Sequence, residues 1–188
     1  VEHPVTEEIT GVDLVEWQLR VASGEALPKK QGELSINGWA MEARLYAEDP
    51  SSGFLPSIGR LDRLNFYSQG LNAPFVLQEG QNLRIETGVE QGDTISPYYD
   101  PMIAKIVIKE RSRAEAARML AIVCSETQVW PVKSNANFLM RLASNPDFES
   151  GAVTTNFIAA NTEALTDIQK PEPLAVANAQ KWLSRAWP

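Results

Sequence analysis

From Ile36 to Ile108 apolar and polar residues alternate with a period of two, and no other pattern in the chain restricts its possible folds so sharply. Successive side chains of a strand point to opposite faces, so this alternation marks strands with one buried side. Trp39, Met41, Ala43 and Leu45 alternate with Ala40, Glu42, Arg44 and Tyr46. Glu42 and Arg44 therefore share a face, either as an exposed pair or within a polar cluster on the far side of the sheet, and the solvated pair is the default expectation. Leu83, Ile85 and Thr87 fall opposite Arg84 and Glu86. Further strands are expected over Arg60 to Phe66, Phe75 to Gln78, Met102 to Lys109 and Thr127 to Trp130. Lys105 breaks the apolar run of its strand and reads as an edge or rim residue. The turns between these segments are too short for crossovers, so the sheet is expected to be mostly antiparallel.

Helical spacing flanks the alternating region. Asp13 and Glu16 have the spacing of a capping box before Leu14 to Ala22, and Gly24 supplies the left-handed end. Ser112 and Glu115 repeat the device before a helix that runs to Cys124. Ser134 is the expected cap of a helix through Leu142, ended by Asn145-Pro146-Asp147. Thr154 to Thr162 and Pro173 to Trp187 are the last helical candidates, separated by a Pro-flanked linker from Asp167 to Pro173. The fold class is thus α+β, a mostly antiparallel sheet with flanking helices, and the final helix carries large aromatics that would pack on a neighbour outside this chain.

A net charge of −7 and a pI near 4.8 leave no basic patch for nucleic acid or for an anionic membrane. No apolar run is long enough to span a bilayer. The single cysteine, Cys124, has no disulfide partner and reads as a buried, inert thiol in a reducing, cytoplasmic setting. His3, the single histidine, has no second histidine and no cysteine cluster with which to build a zinc site. Gly-rich phosphate loops and a Gly-x-Ser-x-Gly elbow are also missing. What remains for chemistry is Glu2 beside His3, and Arg84 with Glu86 on one strand face; they can meet only if the sheet folds back over the N-terminal run.

That run, Val1-Glu2-His3-Pro4-Val5-Thr6-Glu7-Glu8-Ile9-Thr10-Gly11-Val12-Asp13-Leu14, resembles the biotin carboxylases, the ATP-grasp subunit or domain of biotin-dependent carboxylases. The likeness continues through Met41-Glu42-Ala43-Arg44-Leu45-Tyr46-Ala47-Glu48-Asp49-Pro50, Phe54-Leu55-Pro56-Ser57, Gly59-Arg60-Leu61 and Tyr98-Tyr99-Asp100-Pro101-Met102-Ile103-Ala104-Lys105. Lys133-Ser134-Asn135 and Thr155-Asn156-Phe157 complete it.

The resemblance implies that ATP with magnesium activates bicarbonate and that biotin on a carrier domain is carboxylated. It places Glu2 at the general base for bicarbonate, the Val1 backbone against the same anion, Arg84 at the arginine that stabilises the biotin enolate, and Phe157 at the adenine-facing position. A carboxylate suits proton uptake from a small bound anion, and a fixed guanidinium suits developing negative charge. The implied divisions are residues 1–33 as the last part of an ATP-grasp region, 34–165 as the biotin carboxylase C-terminal domain and 166–188 as a linker and helix. Metal ligands are expected outside the chain, which alone is expected to be inactive. The implied partners are bicarbonate, ATP, the carrier domain and a carboxyltransferase subunit, in an oligomer. The long tail is similar to acyl-CoA carboxylase α subunits of the propionyl-, acetyl- or methylcrotonyl-CoA type; pyruvate or urea carboxylases share the motifs. A non-catalytic docking module is the alternative from another class.

Overall fold

The computed structural model describes residues 2–66 and 82–167. Val1, the expected strand at Phe75 to Gln78 and the expected helix at Pro173 to Trp187 lie outside the described residues.

The chain opens with a helix that its composition did not announce, α1 (His3–Thr10), with Pro4 in its first turn, where a missing N–H costs nothing. Gly11, at φ +66°, ends it, and its N–H returns to the carbonyl of Glu7 at 2.8 Å. Helix α2 (Leu14–Ala22) follows, capped as expected by Asp13, whose carboxylate accepts from the Glu16 N–H at 2.8 Å. None of its residues is buried, so its apolar face is open to solvent.

Strand β1 (Trp39–Tyr46) begins after Gly38, at φ +75°. A side chain there would meet the Glu110 carbonyl at 2.6 Å, so the close approach of two backbones requires glycine. Short β2 (Glu48–Asp49) turns back through a 3₁₀ turn onto β3 (Leu55–Pro56). The expected strand at Arg60 to Phe66 is two pieces, β4 (Gly59–Arg60) and β5 (Arg63–Asn65). Then come β6 (Leu83–Thr87), β7 (Thr94–Ile95) and the long β8 (Met102–Glu110).

The main sheet has the order β1-β8-β6 and is antiparallel throughout, while β4 pairs with β7. Strand β8 is therefore central, and Lys105 is not an edge residue. Its side chain is well covered, because β1 and β6 flank it and α1 contacts both β1 and β8.

Helix α3 (Arg113–Glu126) is capped by Ser112, which accepts from the Glu115 N–H. It packs on the apolar side of the sheet with Met41, Ala43, Leu45, Leu83, Ile106 and Ile108. Trp39 departs from that pattern and is half exposed, because it stands at the outer end of β1 opposite Glu110. Strand β9 (Gln128–Trp130) pairs with β5.

Helix α4 (Ala136–Ala143) starts one residue later than its sequence suggested. Asn135, not Ser134, precedes it, and the Asn135 side chain turns away from the helix to accept from Tyr46 N–H at 2.9 Å and donate to the Arg44 carbonyl at 3.2 Å. Ser144 ends this helix, and Asn145 caps α5 (Pro146–Ser150), its side-chain oxygen accepting from the Asp147 N–H. The expected helix at Thr154 to Thr162 is replaced by two short ones, α6 (Phe157–Ala160) and α7 (Thr162–Thr166).

Candidate active site

The period of two that buries Met41, Ala43 and Leu45 aims Glu42 and Arg44 at the opposite side of the sheet, toward α1. Pairing across the strands sets Arg44, Lys105 and Glu86 in one row and Glu42, Val107 and Arg84 in the next row on the same face. Five ionisable groups therefore meet on a surface about 10 Å across, since neighbouring strands lie ~4.8 Å apart.

Glu2 stands immediately before α1 and spends no side-chain bond on capping it. Its carboxylate receives the Arg44 guanidinium at Oε1 and lies 3.7 Å from the Lys105 ammonium at Oε2. Desolvation works against its charge, but Arg44 and Lys105 outweigh it and hold the carboxyl below the ordinary glutamate range. Hydrogen bonding to Tyr46 and then the charge of Glu2 in turn favour the Arg44 cation.

The N-terminal run and the sheet do meet, as the candidate residues required, but the pairing differs from the one expected. Arg84 donates to Glu7 at 2.7 Å and to Glu86, and lies 3.5 Å from Glu8. Burial opposes its charge, yet Glu7 and Glu86 raise its proton affinity far above the usual arginine value. Among the described residues the cations within ion-pair reach of Glu2 are Arg44 and Lys105, not Arg84. Glu7 is a further acidic residue that sequence reasoning passed over. It is 8% exposed, and its second oxygen accepts from the Leu14 N–H at 2.9 Å, so one carboxylate ties α1 to β6 and to the start of α2.

Glu42 also corrects an expectation. Far from being solvated, its side chain is 5% exposed, with Oε1 3.8 Å from Arg44 Nε. Burial pushes its carboxyl above the ordinary range, against the pull of Lys105. Lys105, read as rim, is part of the same cluster.

Phe157 opens α6, where its carbonyl accepts from the Asn161 amide at 2.8 Å; among the described residues hydrogen bonds do not join it to the charged face. Among the described residues no group of three His, Cys, Asp or Glu could hold a metal, so the implied magnesium finds no ligand set there. A separate cleft of about 430 Å³ includes Asp49, Lys133, Asn137 and Arg141 and contains none of Glu2, Arg44 or Arg84. Cys124 is buried and its thiol is pushed up to about 12, in keeping with an inert side chain.

An antiparallel three-stranded sheet with helices packed on one side and a charged face beneath an N-terminal helix defines the class as α+β. The description "Biotin carboxylase C-terminal domain" matches residues 42–160, and the chain belongs to that family. Residues 1–30 match "Carbamoyl-phosphate synthase L chain, ATP binding domain". The mitochondrial methylcrotonoyl-CoA carboxylase subunit alpha of Dictyostelium discoideum is 45% identical over 171 residues, covering 91% of this chain and 23% of that protein. The biotin carboxylase of Halalkalibacterium halodurans is 40% identical over 166 residues, covering 88% and 34%. Among solved structures, the biotin carboxylase domain of a thermophilic 2-oxoglutarate carboxylase bound to bicarbonate superposes with a TM-score of 0.79 at 34% identity, covering 90% of this chain and 35% of that one. The chain spans about a quarter of the length of the first of these curated relatives.

Proposed function

We propose that this chain supplies the bicarbonate- and biotin-facing side of an ATP-dependent biotin carboxylase within an acyl-CoA carboxylase. The observation that carries the reading is the Glu2 carboxylate held between Arg44 and Lys105 on the α1 face of the sheet. Two cations beside one carboxylate can orient a small anion while the carboxylate takes its proton. Glu2 is the base. Arg44, joined to Glu2, is the guanidinium placed where charge develops on biotin, in preference to Arg84, which three carboxylates already occupy. Arg84 holds α1, and with it Glu2, against the sheet. Val1 and Phe157 keep the places the resemblance gives them, toward bicarbonate and adenine.

The matches at residues 1–30 and 42–160 support dividing the chain near residues 33–34, the end of an ATP-grasp region before it and the biotin carboxylase C-terminal domain after it. Its partners are then the biotin carrier domain and a carboxyltransferase, in an oligomer. Val15 and Leu19, 53% and 67% exposed on α2, favour a docking role for the first segment alongside catalysis. No helix among the described residues is long and apolar enough to cross a membrane; a single buried cysteine supports a reducing, cytoplasmic setting.

The test is bicarbonate-dependent ATP cleavage with free biotin by a complete biotin carboxylase polypeptide carrying this sequence. Glu2→Gln and Arg44→Ala are each expected to lower kcat by about 10²-fold or more, Arg84→Ala by less. Full activity in Glu2→Gln would overturn the assignment of the base, and a larger loss in Arg84→Ala than in Arg44→Ala would return the biotin role to Arg84.

A further inference from the structure

Glu42 is the group on the charged face that this reading leaves without a task. Both of its carboxylate oxygens are buried, and neither accepts a hydrogen bond from a described residue. A carboxylate in that state is costly, and a glutamine or methionine of similar volume would fit a strand position without the cost. Its surroundings are specific. Arg44 Nε lies 3.8 Å from Oε1 on the same strand, and Lys105 approaches from β8. Glu2, from the start of α1, and Glu86, from β6, oppose it with like charge. Arg44 is thus held at two edges: its Nε side faces the buried Glu42, and its Nη2 meets the outer Glu2.

We propose that Glu42 is a positioning residue for the anion site, dividing Arg44 and Lys105 between itself and Glu2 so that Glu2 is oriented by these cations without being neutralised by them. The proposal rests on Glu2 acting as the base. Glu42 and Glu2 balance Arg44 and Lys105 charge for charge, and the two carboxylates compete for the same partners. If Glu42 loses its charge, both cations act on Glu2 alone. Glu2 then becomes a weaker base that stays ionised to lower pH. A bound anion would likewise find both cations more fully engaged by Glu2.

The experiment compares Glu42→Gln, Glu42→Asp and Glu2→Gln with the parent in the complete carboxylase polypeptide. It records kcat, KM for bicarbonate, the pH profile and Tm. In Glu42→Gln, Tm is expected to hold or to rise by a few degrees, because an orphaned charge has gone. Meanwhile kcat falls about tenfold, and the acid limb of its pH profile moves down by roughly half a unit to one unit. Glu42→Asp, which keeps the charge, should recover part of kcat and return the acid limb toward the parent. A parent-like kcat and acid limb in Glu42→Gln would overturn the proposal, as would an activity loss that merely follows a loss of Tm. If Glu2→Gln is itself fully active, the underlying site reading fails, whatever Glu42 does.

Discussion

The two faces of the β1-β8-β6 sheet are built from the same strands, one residue out of step, and they obey opposite rules. On the α3 side, Met41, Ala43, Leu45, Leu83, Ile106 and Ile108 form a continuous apolar layer. On the α1 side, Glu42, Arg44, Arg84, Glu86 and Lys105 stand where another protein would bury aliphatic groups. The first face gains stability from area removed from water. The second gives some of it up to hold charges close together, and α1 is fastened over it by ion pairs and a buried proline rather than by an apolar stripe. A shift of one residue in register would exchange the two faces, so the pairing of β1 with β8 fixes core and site together.

That contrast can be broken by substitution. Leu45→Ala, at a fully buried position on the α3 side, is expected to cost about 2–5 kcal/mol in urea unfolding. If Glu42→Gln, one layer away, proved as destabilising, the distinction between the faces would fail. Arg84→Ala should cost about 1–3 kcal/mol, because it strips the nearly buried Glu7 of its guanidinium while the Leu14 N–H remains. The double change with Glu7→Gln should cost less than the sum of the two single ones, which a double-mutant cycle would register. Asp13→Ala, outside both faces, removes an N-cap and should cost about 1 kcal/mol with no change in the contrast.

The smallest effect expected is in the pH dependence of stability. Lys133 above all, with Ser51 and Ser52, holds the Asp49 carboxyl below its ordinary 3.8, so its contribution is present above that value and fades as pH falls. Glu42 is raised above 4.5 by burial, so the fold gains from its protonation as pH falls through the raised value, and that gain is lost again as pH rises. Thermal unfolding of Asp49→Asn and Glu42→Gln between pH 3 and 7 should flatten the two slopes in opposite senses.

Much of the sheet was legible because alternation is local: Met41, Ala43 and Leu45 declare their side of β1 without reference to any partner. The caps at Asp13 and Ser112 were legible for the same reason. Lys105 was misread because a strand's own residues do not say whether it lies at the edge or in the centre, and only the β1-β8-β6 order does. The exposure assigned to Glu42 failed because α1, short and without an apolar stripe, gave no sign that it would cover that face. Family likeness brought Glu2 and Arg84 to attention; that folding carries Arg44 to Glu2, and Arg84 to Glu7, depends on how α1 lies on the sheet, which residue spacing does not show.

Asn135 has a consequence beyond placing α4. Its side chain and backbone N–H engage Arg44 and Tyr46 as one residue of a neighbouring strand would, with a further bond of 3.1 Å from its N–H to the Tyr46 carbonyl. Among the described residues strand β1 borders the sheet, and an open border of unpaired peptide groups invites other chains to add to it. The amide closes that border where β1 carries Arg44, making one buried asparagine both a guard against intermolecular strand pairing and a clamp on the backbone that presents the guanidinium.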